Sequence, residues 1–262
     1  MNYFIETDYF NLKLTLTGGQ AFRWRQISDD RYFGTVGSRT LEVSHEKGGV
    51  RLINAADNDL PFWENYFDTN TDYNAIIACF REDPTLREAC KYAHGLRILK
   101  QEPFETLISF IISQNNNITR IRGIIERLCE AFGEKIGDNL FAFPTVETLT
   151  NADLSAIGAG YRAGYITEAA RKVQNREINL AALYGADTDT ARAELLRIKG
   201  VGEKVADCVL LFAYGKSSAF PKDVWVKRAT EQFYPDGLPA CIKGNEGLAQ
   251  QYLFEYIRNK KL

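Results

Sequence analysis

The sequence predicts an α+β fold in which an N-terminal antiparallel β-sheet domain over residues 1–96 is followed by a larger, all-helical region over 97–262. Short strand-like runs separated by turn signals fill the first third. From about residue 97 the apolar spacing changes to the 3.6-residue period of helices. With 45% hydrophobic and 25% charged residues, the chain has the make-up of a globular protein.

In the first third, Leu12, Leu14 and Leu16 alternate with polar residues, the pattern of a half-buried strand. Runs over 31–36, 40–44 and 50–53 follow, divided by Ser28-Asp29-Asp30, Gly37-Ser38 and Gly48-Gly49, which read as hairpin turns. The pattern shifts around 65–92. Phe104, Leu107, Ile108, Ile111 and Ile112 then mark one helix, and Ile118, Ile121, Ile125, Leu128 and Phe132 the next, with Gly133 as its C-cap. Gln114-Asn115-Asn116-Asn117 between them is capping and turn chemistry. Further helices are expected at 145–157, 164–175, 188–198, 203–214, 224–233 and 246–258.

Composition narrows the function. No apolar run is long enough for a membrane span, and the acidic start Met1–Asp8 argues against a secretory signal. Five scattered cysteines, Cys79, Cys90, Cys129, Cys208 and Cys241, form no C-x-x-C pair, and His45 and His94 are the two histidines. Neither a disulfide framework nor a metal centre is expected, and no cofactor is required. The expectation is an intracellular, monomeric protein, cytoplasmic and nucleoid-associated if bacterial.

Net charge is −2, where nucleic-acid-binding domains are usually basic. The acidity is concentrated in residues 1–96, with 10 Lys/Arg against 14 Asp/Glu, while 97–262 hold 22 and 20. A local basic face is permitted, not required.

Residues 188–214 carry the most chemical information. One amphipathic helix ends at Ile198, Lys199-Gly200-Val201-Gly202 makes a tight turn, and Glu203-Lys204 open a second helix. Glycines allow close backbone approach, so amides at the new helix start can face a phosphate. By itself such a turn is equally a compact αα-corner. It is not a dinucleotide motif, because Lys204 and Val205 fill the later glycine positions. Lys204 in the first helical turn suits an amine nucleophile, although a lone lysine there reads as a solvated residue. Cys208, four residues on, shares its face and reads alone as core. Nineteen residues after Lys204, Phe220-Pro221-Lys222-Asp223 leads into the next helix, with Asp223 as N-cap. A carboxylate fixed in this way can support positive charge developing at a sugar carbon. Lysine plus aspartate at two helix starts suits cleavage of an N-glycosidic bond.

The run Ile198-Lys-Gly-Val-Gly-Glu-Lys-Val-Ala-Asp-Cys208, followed by Pro221-Lys-Asp-Val224, resembles the helix–hairpin–helix, Gly/Pro-rich loop and Asp (HhH-GPD) signature of DNA glycosylases. Gly18-Gly19-Gln20-Ala21-Phe22-Arg23-Trp24, Ser113–Ile121, Gly160-Tyr161-Arg162-Ala163 and Gly247–Phe254 extend the likeness, in order, to the 8-oxoguanine DNA glycosylase family. The resemblance implies a bifunctional glycosylase and AP lyase acting on double-stranded DNA containing 8-oxoguanine. Lys204 would attack C1′ and Asp223 would support the reaction. Gly19, Cys208, Gln250 and Phe254 would contact the flipped base, Gly19 through its carbonyl to N7–H. Asn115, Arg120, Tyr161 and Arg162 would fill the vacated space and face the opposite cytosine. Gly200, Val201, Gly202 and Trp225 would grip the DNA backbone, with a structural cation at the carbonyls around Leu196, Ile198 and Val201.

The sequence departs from the family pattern in three places. Lys199 stands where a proline commonly precedes G-V-G, Trp225 stands where relatives can carry histidine, and Lys222 beside Asp223 is a rival nucleophile. Two other readings stay open: a different HhH glycosylase, and a non-catalytic DNA-binding HhH module. The absence of a C-terminal four-cysteine cluster disfavours glycosylases resembling endonuclease III, and Lys204 disfavours alkylbase enzymes.

Overall fold

A computed structural model describes residues 1–260. Five antiparallel strands, β1 (Tyr3–Glu6), β2 (Trp24–Ser28), β3 (Arg31–Val36), β4 (Arg39–Glu46) and β5 (Gly49–Ile53), form a sheet of order β1-β5-β4-β3-β2. The hairpins expected over 31–53 are present. β1 was not anticipated; it closes the far edge by pairing Tyr3 with Leu52 and Ile5 with Val50.

Leu12, Leu14 and Leu16 are not a strand. They belong to the short helix α1 (Leu12–Thr17), nucleated by the Asn11 side chain, which accepts from the Leu14 N–H at 3.0 Å. The residues it buries are Leu12, Thr15 and Leu16, spaced i, i+3 and i+4, so the alternation came from one side of a helix. Three helices then occupy the stretch where the pattern shifts: α2 (Leu60–Tyr66), α3 (Tyr73–Phe80) and α4 (Pro84–Tyr92).

The helical region runs through α5 (Pro103–Ser113), α6 (Ile118–Phe132), a small hairpin of β6 (Lys135–Gly137) and β7 (Leu140–Phe141), and α7 (Val146–Thr150). It continues with α8 (Arg162–Gln174), α9 (Thr188–Leu196), α10 (Glu203–Tyr214), α11 (Val224–Phe233) and α12 (Glu246–Lys260). The single helix expected over 145–157 is broken. α7 stops at Asn151, and the remainder is one 3₁₀ turn, Ser155–Ile157. Among the described residues no helix is long and apolar enough to cross a membrane.

Two apolar cores result. The smaller one sets Trp24, Leu41, Val43, Val50 and Leu52 of the sheet against Trp63, Tyr66 and Phe67 of α2 and its C-cap, with the Trp24 indole N–H donating to the Tyr66 hydroxyl at 2.8 Å. The larger core gathers α5, α6, α8, α10 and α12, and it takes in α3 and α4 as well. A buried polar seam joins the two. The Arg97 guanidinium donates to the carbonyls of Tyr9 and Asp68, both at 2.7 Å, and the Gln20 amide donates to the Arg97 carbonyl at 2.7 Å and accepts from Leu99 N–H at 2.8 Å.

Nearby, Glu105 lies 3.6 Å from Arg23, whose other nitrogen donates to the Phe141 carbonyl. Burial pushes the Glu105 carboxyl up to about 7 despite Arg23. An acid held above its ordinary value binds a proton in the folded state that the unfolded chain has released, so stability falls as pH rises from near 4.5 to about 7. Thermal unfolding followed by circular dichroism at pH 5 and pH 8 should show the protein less stable at pH 8. Glu105→Gln should flatten that difference; an unchanged pH dependence would contradict the assignment.

Candidate active site

The chain brings three segments together at one end of the large core. α5 ends at Ser113 and α10 begins at Glu203, and these two helices pack along each other with Phe110 and Phe212 stacked at 5.4 Å. α12 is seated on α10 by Gly247, where a Cβ would lie 2.4 Å from the Leu211 side chain. The sequence puts small or aromatic residues at these contacts because the helices approach closely.

Lys204 is half-buried, with its ammonium 5.1 Å from the Phe110 ring centroid and 3.5 Å from the Ser113 hydroxyl. Lys222 is exposed. Cys208, 3% exposed, lies one turn beyond Lys204; burial pushes its thiol up to about 11, while the adjacent Lys204 pulls the other way. At neutral pH Cys208 is a neutral wall, not a thiolate. Asp223 is close enough for its charge to act on that thiol, and its carboxylate caps α11, accepting from Val226 N–H at 2.8 Å. Lys204 and Cys208 share one face of α10, and Asp223 opens the helix that follows.

The turn before α10 is built on Gly200, with φ of +85°. A Cβ there would lie 2.3 Å from the Tyr165 ring, so the position needs glycine for both conformation and space. Val201 is buried and its N–H donates to the Ile198 carbonyl at 3.0 Å. Gly202 is exposed and offers no side-chain cap, which leaves the first amides of α10 free for an anion. Trp225 is half-buried under the Arg228 guanidinium at 5.5 Å.

The Gly18–Gly19 turn follows α1. Gly19 has φ of +105°, and a Cβ on it would touch Ile118 at the start of α6. On α12, Gln250 is 2% exposed and its carbonyl oxygen accepts from Gln251 at 2.6 Å, while Phe254 is half-buried one turn later. Arg258, a residue that sequence reasoning missed, links the two segments: it donates to the Gly18 carbonyl at 3.2 Å and lies 4.9 Å over the Phe254 ring. The i+4 spacing from Phe254 was the available signal. Ser113 and Phe110 were also missed as partners of Lys204, since nothing local marks which face of α5 meets α10.

The third group surrounds the turn between α5 and α6. Asn115 is exposed, adopts φ of +48° and donates to the hydroxyl of Tyr161, itself 56% exposed. Arg120 is exposed in the first turn of α6. Arg162 differs from both. It is 5% exposed, and its nitrogens are spent on the carbonyls of Gln114, Asn115 and Ala159, with the guanidinium 4.4 Å over the Tyr161 ring. In this state it holds the loop that presents Asn115 and Tyr161.

Residues 2–107 match the family model described as 8-oxoguanine DNA glycosylase, N-terminal domain, and residues 108–237 match that of the HhH-GPD superfamily base excision DNA repair proteins. A probable N-glycosylase/DNA lyase of Methanothermobacter thermautotrophicus is 31% identical, over 86% of this chain and 83% of its own. An N-glycosylase/DNA lyase of Arabidopsis thaliana is 29% identical over 94% and 73%. Among solved structures, the 8-oxoguanine glycosylase/lyase of Clostridium acetobutylicum, bound to double-stranded DNA with cytosine opposite 8-oxoguanine, superimposes with a TM-score of 0.91. It is 34% identical and the match covers 99% of both chains.

The burial contrast between the cysteines is directly measurable. Iodoacetamide at pH 8, followed by peptide mass spectrometry, should label exposed Cys79 well before Cys208. Labelling of Cys208 at the same rate would place its thiol outside the site.

Proposed function

The chain belongs to the 8-oxoguanine DNA glycosylase family of the HhH-GPD superfamily, and from that premise we propose that it excises 8-oxoguanine from duplex DNA and nicks the strand at the resulting site. The observation that carries this reading is the half-buried amine of Lys204 beside Ser113 and Cys208, in the first turn of a helix whose first amides have no side-chain cap. The exposed Lys222 lacks such an environment.

The damaged nucleotide must leave the stack, because C1′ cannot be reached inside a duplex. The uncharged Lys204 amine then attacks C1′, and the N-glycosidic bond breaks with its electron pair leaving on the base, which takes up a proton. Ring opening of the sugar gives an imine between Lys204 and C1′. Loss of the C2′ proton expels the 3′ phosphate, and water releases the amine. The Asp223 carboxylate, fixed by the α11 amide, offsets the positive charge that develops at the anomeric carbon.

Selectivity for the lesion rests on one polarity difference. N7 of guanine is an acceptor, whereas 8-oxoguanine carries N7–H. The Gly19 carbonyl would accept from that hydrogen and face a lone pair on guanine, a difference of about ten- to a hundredfold. Phe254 would stack on the base, Cys208 would close the pocket as a neutral thiol, and the second lone pair and amide of Gln250 would meet the Watson–Crick edge.

Tyr161 would wedge into the stack, with Asn115 and Arg120 donating to the orphaned cytosine. Arg162 would contribute to the cytosine only by releasing carbonyls it now holds, so its first task is to support the loop. Amides at Gly200, Val201 and Gly202 and the indole of Trp225 would meet the phosphates. The carbonyls around Leu196, Ile198 and Val201 would hold a structural cation at the hairpin, where Ile198 O also accepts from Val201 N–H and the Lys172 ammonium donates to the Arg197 carbonyl at 2.5 Å. No step passes through a cation or another cofactor. One chain supplies every group named, so this reading needs no second copy, and the enzyme would act as a monomer wherever the cell's DNA lies.

Incubation with an 8-oxoguanine:cytosine duplex and borohydride should give a covalent adduct with the wild type and with Lys222→Gln, and none with Lys204→Gln. An adduct lost only in Lys222→Gln would move the nucleophile, and excision with no adduct would make the enzyme monofunctional. Excision should be fastest opposite cytosine, and Arg120→Ala should reduce that preference by about tenfold, the scale of one paired base contact. Equal wild-type rates opposite all four bases would overturn the opposite-base assignment.

A further inference from the structure

One charged pair on α12 has no part in the reaction proposed above, yet it touches both halves of the base pocket. Arg258 Nη1 donates to the Gly18 carbonyl at 3.2 Å, Nη2 pairs with Glu255 Oε2 at 3.1 Å, and the guanidinium carbon lies 4.9 Å from the centre of the Phe254 ring. Glu255 is 1% exposed, and its second oxygen, Oε1, is buried without a hydrogen-bond partner. That oxygen fills the space a side chain on Gly18 would need, 2.9 Å from where a Cβ would stand. The pair is thus wedged between the turn that carries Gly19 and the helix that carries Phe254, although 240 residues of chain separate Gly18 from Arg258.

An aromatic ring has two faces. The Arg258 cation takes one of Phe254's, which leaves the other for a base. A cation on the far face withdraws π density from the ring and so favours stacking with an electron-rich purine. The same guanidinium fixes the Gly18 carbonyl, and with it the peptide preceding Gly19. A planar fork can hold all three partners at once, as an ammonium cannot.

We propose that Arg258, oriented by Glu255, is a positioning residue that sets the gap between the Gly19 carbonyl and the Phe254 ring and thereby tunes how productively the pocket holds the flipped base for excision. This rests on the base-pocket reading given under Proposed function. Arg258 acts through Gly18 and Phe254, and it leaves the chemistry at C1′ to Lys204 and Asp223.

The test compares two reactions of the same full-length protein. Single-turnover excision from an 8-oxoguanine:cytosine duplex needs the base pocket, whereas nicking of a duplex with a pre-formed abasic site does not. Arg258→Met should lower the ratio of excision to nicking by about tenfold, the scale of one desolvated cation–π contact. Arg258→Lys should recover part of the ratio, because it restores the charge over the ring without the fork. Should Arg258→Met fold poorly, Glu255→Gln keeps the side-chain shape and should move the ratio in the same direction by less. Equal losses in both reactions, or an unchanged ratio in a folded Arg258→Met, would overturn the proposal by reducing the pair to a structural role. A wild-type protein that nicks abasic DNA but leaves 8-oxoguanine in place would overturn the base-pocket reading, and this proposal with it.

Discussion

The buried amide of Gln20 is the interaction on which the rest of the site depends. Its nitrogen donates to the carbonyls of Thr15 and Arg97, its oxygen accepts from Leu99 N–H, and its own backbone carbonyl accepts from Gln101. At 1% exposure the three bonds of the Gln20 side chain are made away from water, where an unmet polar group costs about 1–3 kcal/mol. No apolar side chain could reproduce the pattern, and a buried polar network that is fully satisfied selects a single arrangement. The consequence is local: Gly18 and Gly19, next in the chain, are anchored from one side by Gln20 and from the other by Arg258. The proposed role of the Gly19 carbonyl, distinguishing N–H from a lone pair, requires that it cannot rotate away.

Two helix starts divide the chemistry by the same electrostatic rule. Most of the helices begin with a side chain that satisfies their free amides: Asn11, Asp72, Asp83, Glu102, Asn117, Thr145 and Asp187 all do so. α10 begins at Gly202 with no such group, and α11 begins at Asp223, whose carboxylate occupies the site. One positive helix end is left open for an anion and the other is filled by an anion that belongs to the chain. Lys204 lies in the first turn of the open helix, so the proposed nucleophile and the proposed phosphate grip share one element, and the relation between them is set by helix geometry.

The legible parts of the fold were those where periodicity and caps agree. The limits of α10 and α11 match the expected 203–214 and 224–233 because Gly202 and Asp223 punctuate strong 3.6-residue patterns. Leu12–Leu16 misled because five residues are too few to separate a period of 2 from one of 3.6, and the Asn11 cap decided the matter. Of the site, the motif residues could be listed from sequence, but their orientation could not. Nothing local to Lys204 says that it lies over Phe110, or that Lys222 is exposed. Arg162 was expected to face the opposite cytosine and is buried on carbonyls, and Glu255 and Arg258 were not singled out at all. Each depends on a segment distant in the chain arriving to cover it, information that no window of sequence contains.

A net charge of −2 also constrains how such a chain can hold DNA. Binding that neutralises many phosphates needs many cations and weakens steeply with salt. Here the first third is acidic and the remainder has an excess of two positive charges, so any basic face is local. The groups available are of another kind: uncapped amides at the hairpin, the exposed Tyr161 ring and the exposed Asn115 and Arg120 beside it. Most of these act over a few ångströms and need a gap in the stack to enter. Binding through them favours a duplex that opens easily, and a base pair weakened by damage opens at less cost than an intact one.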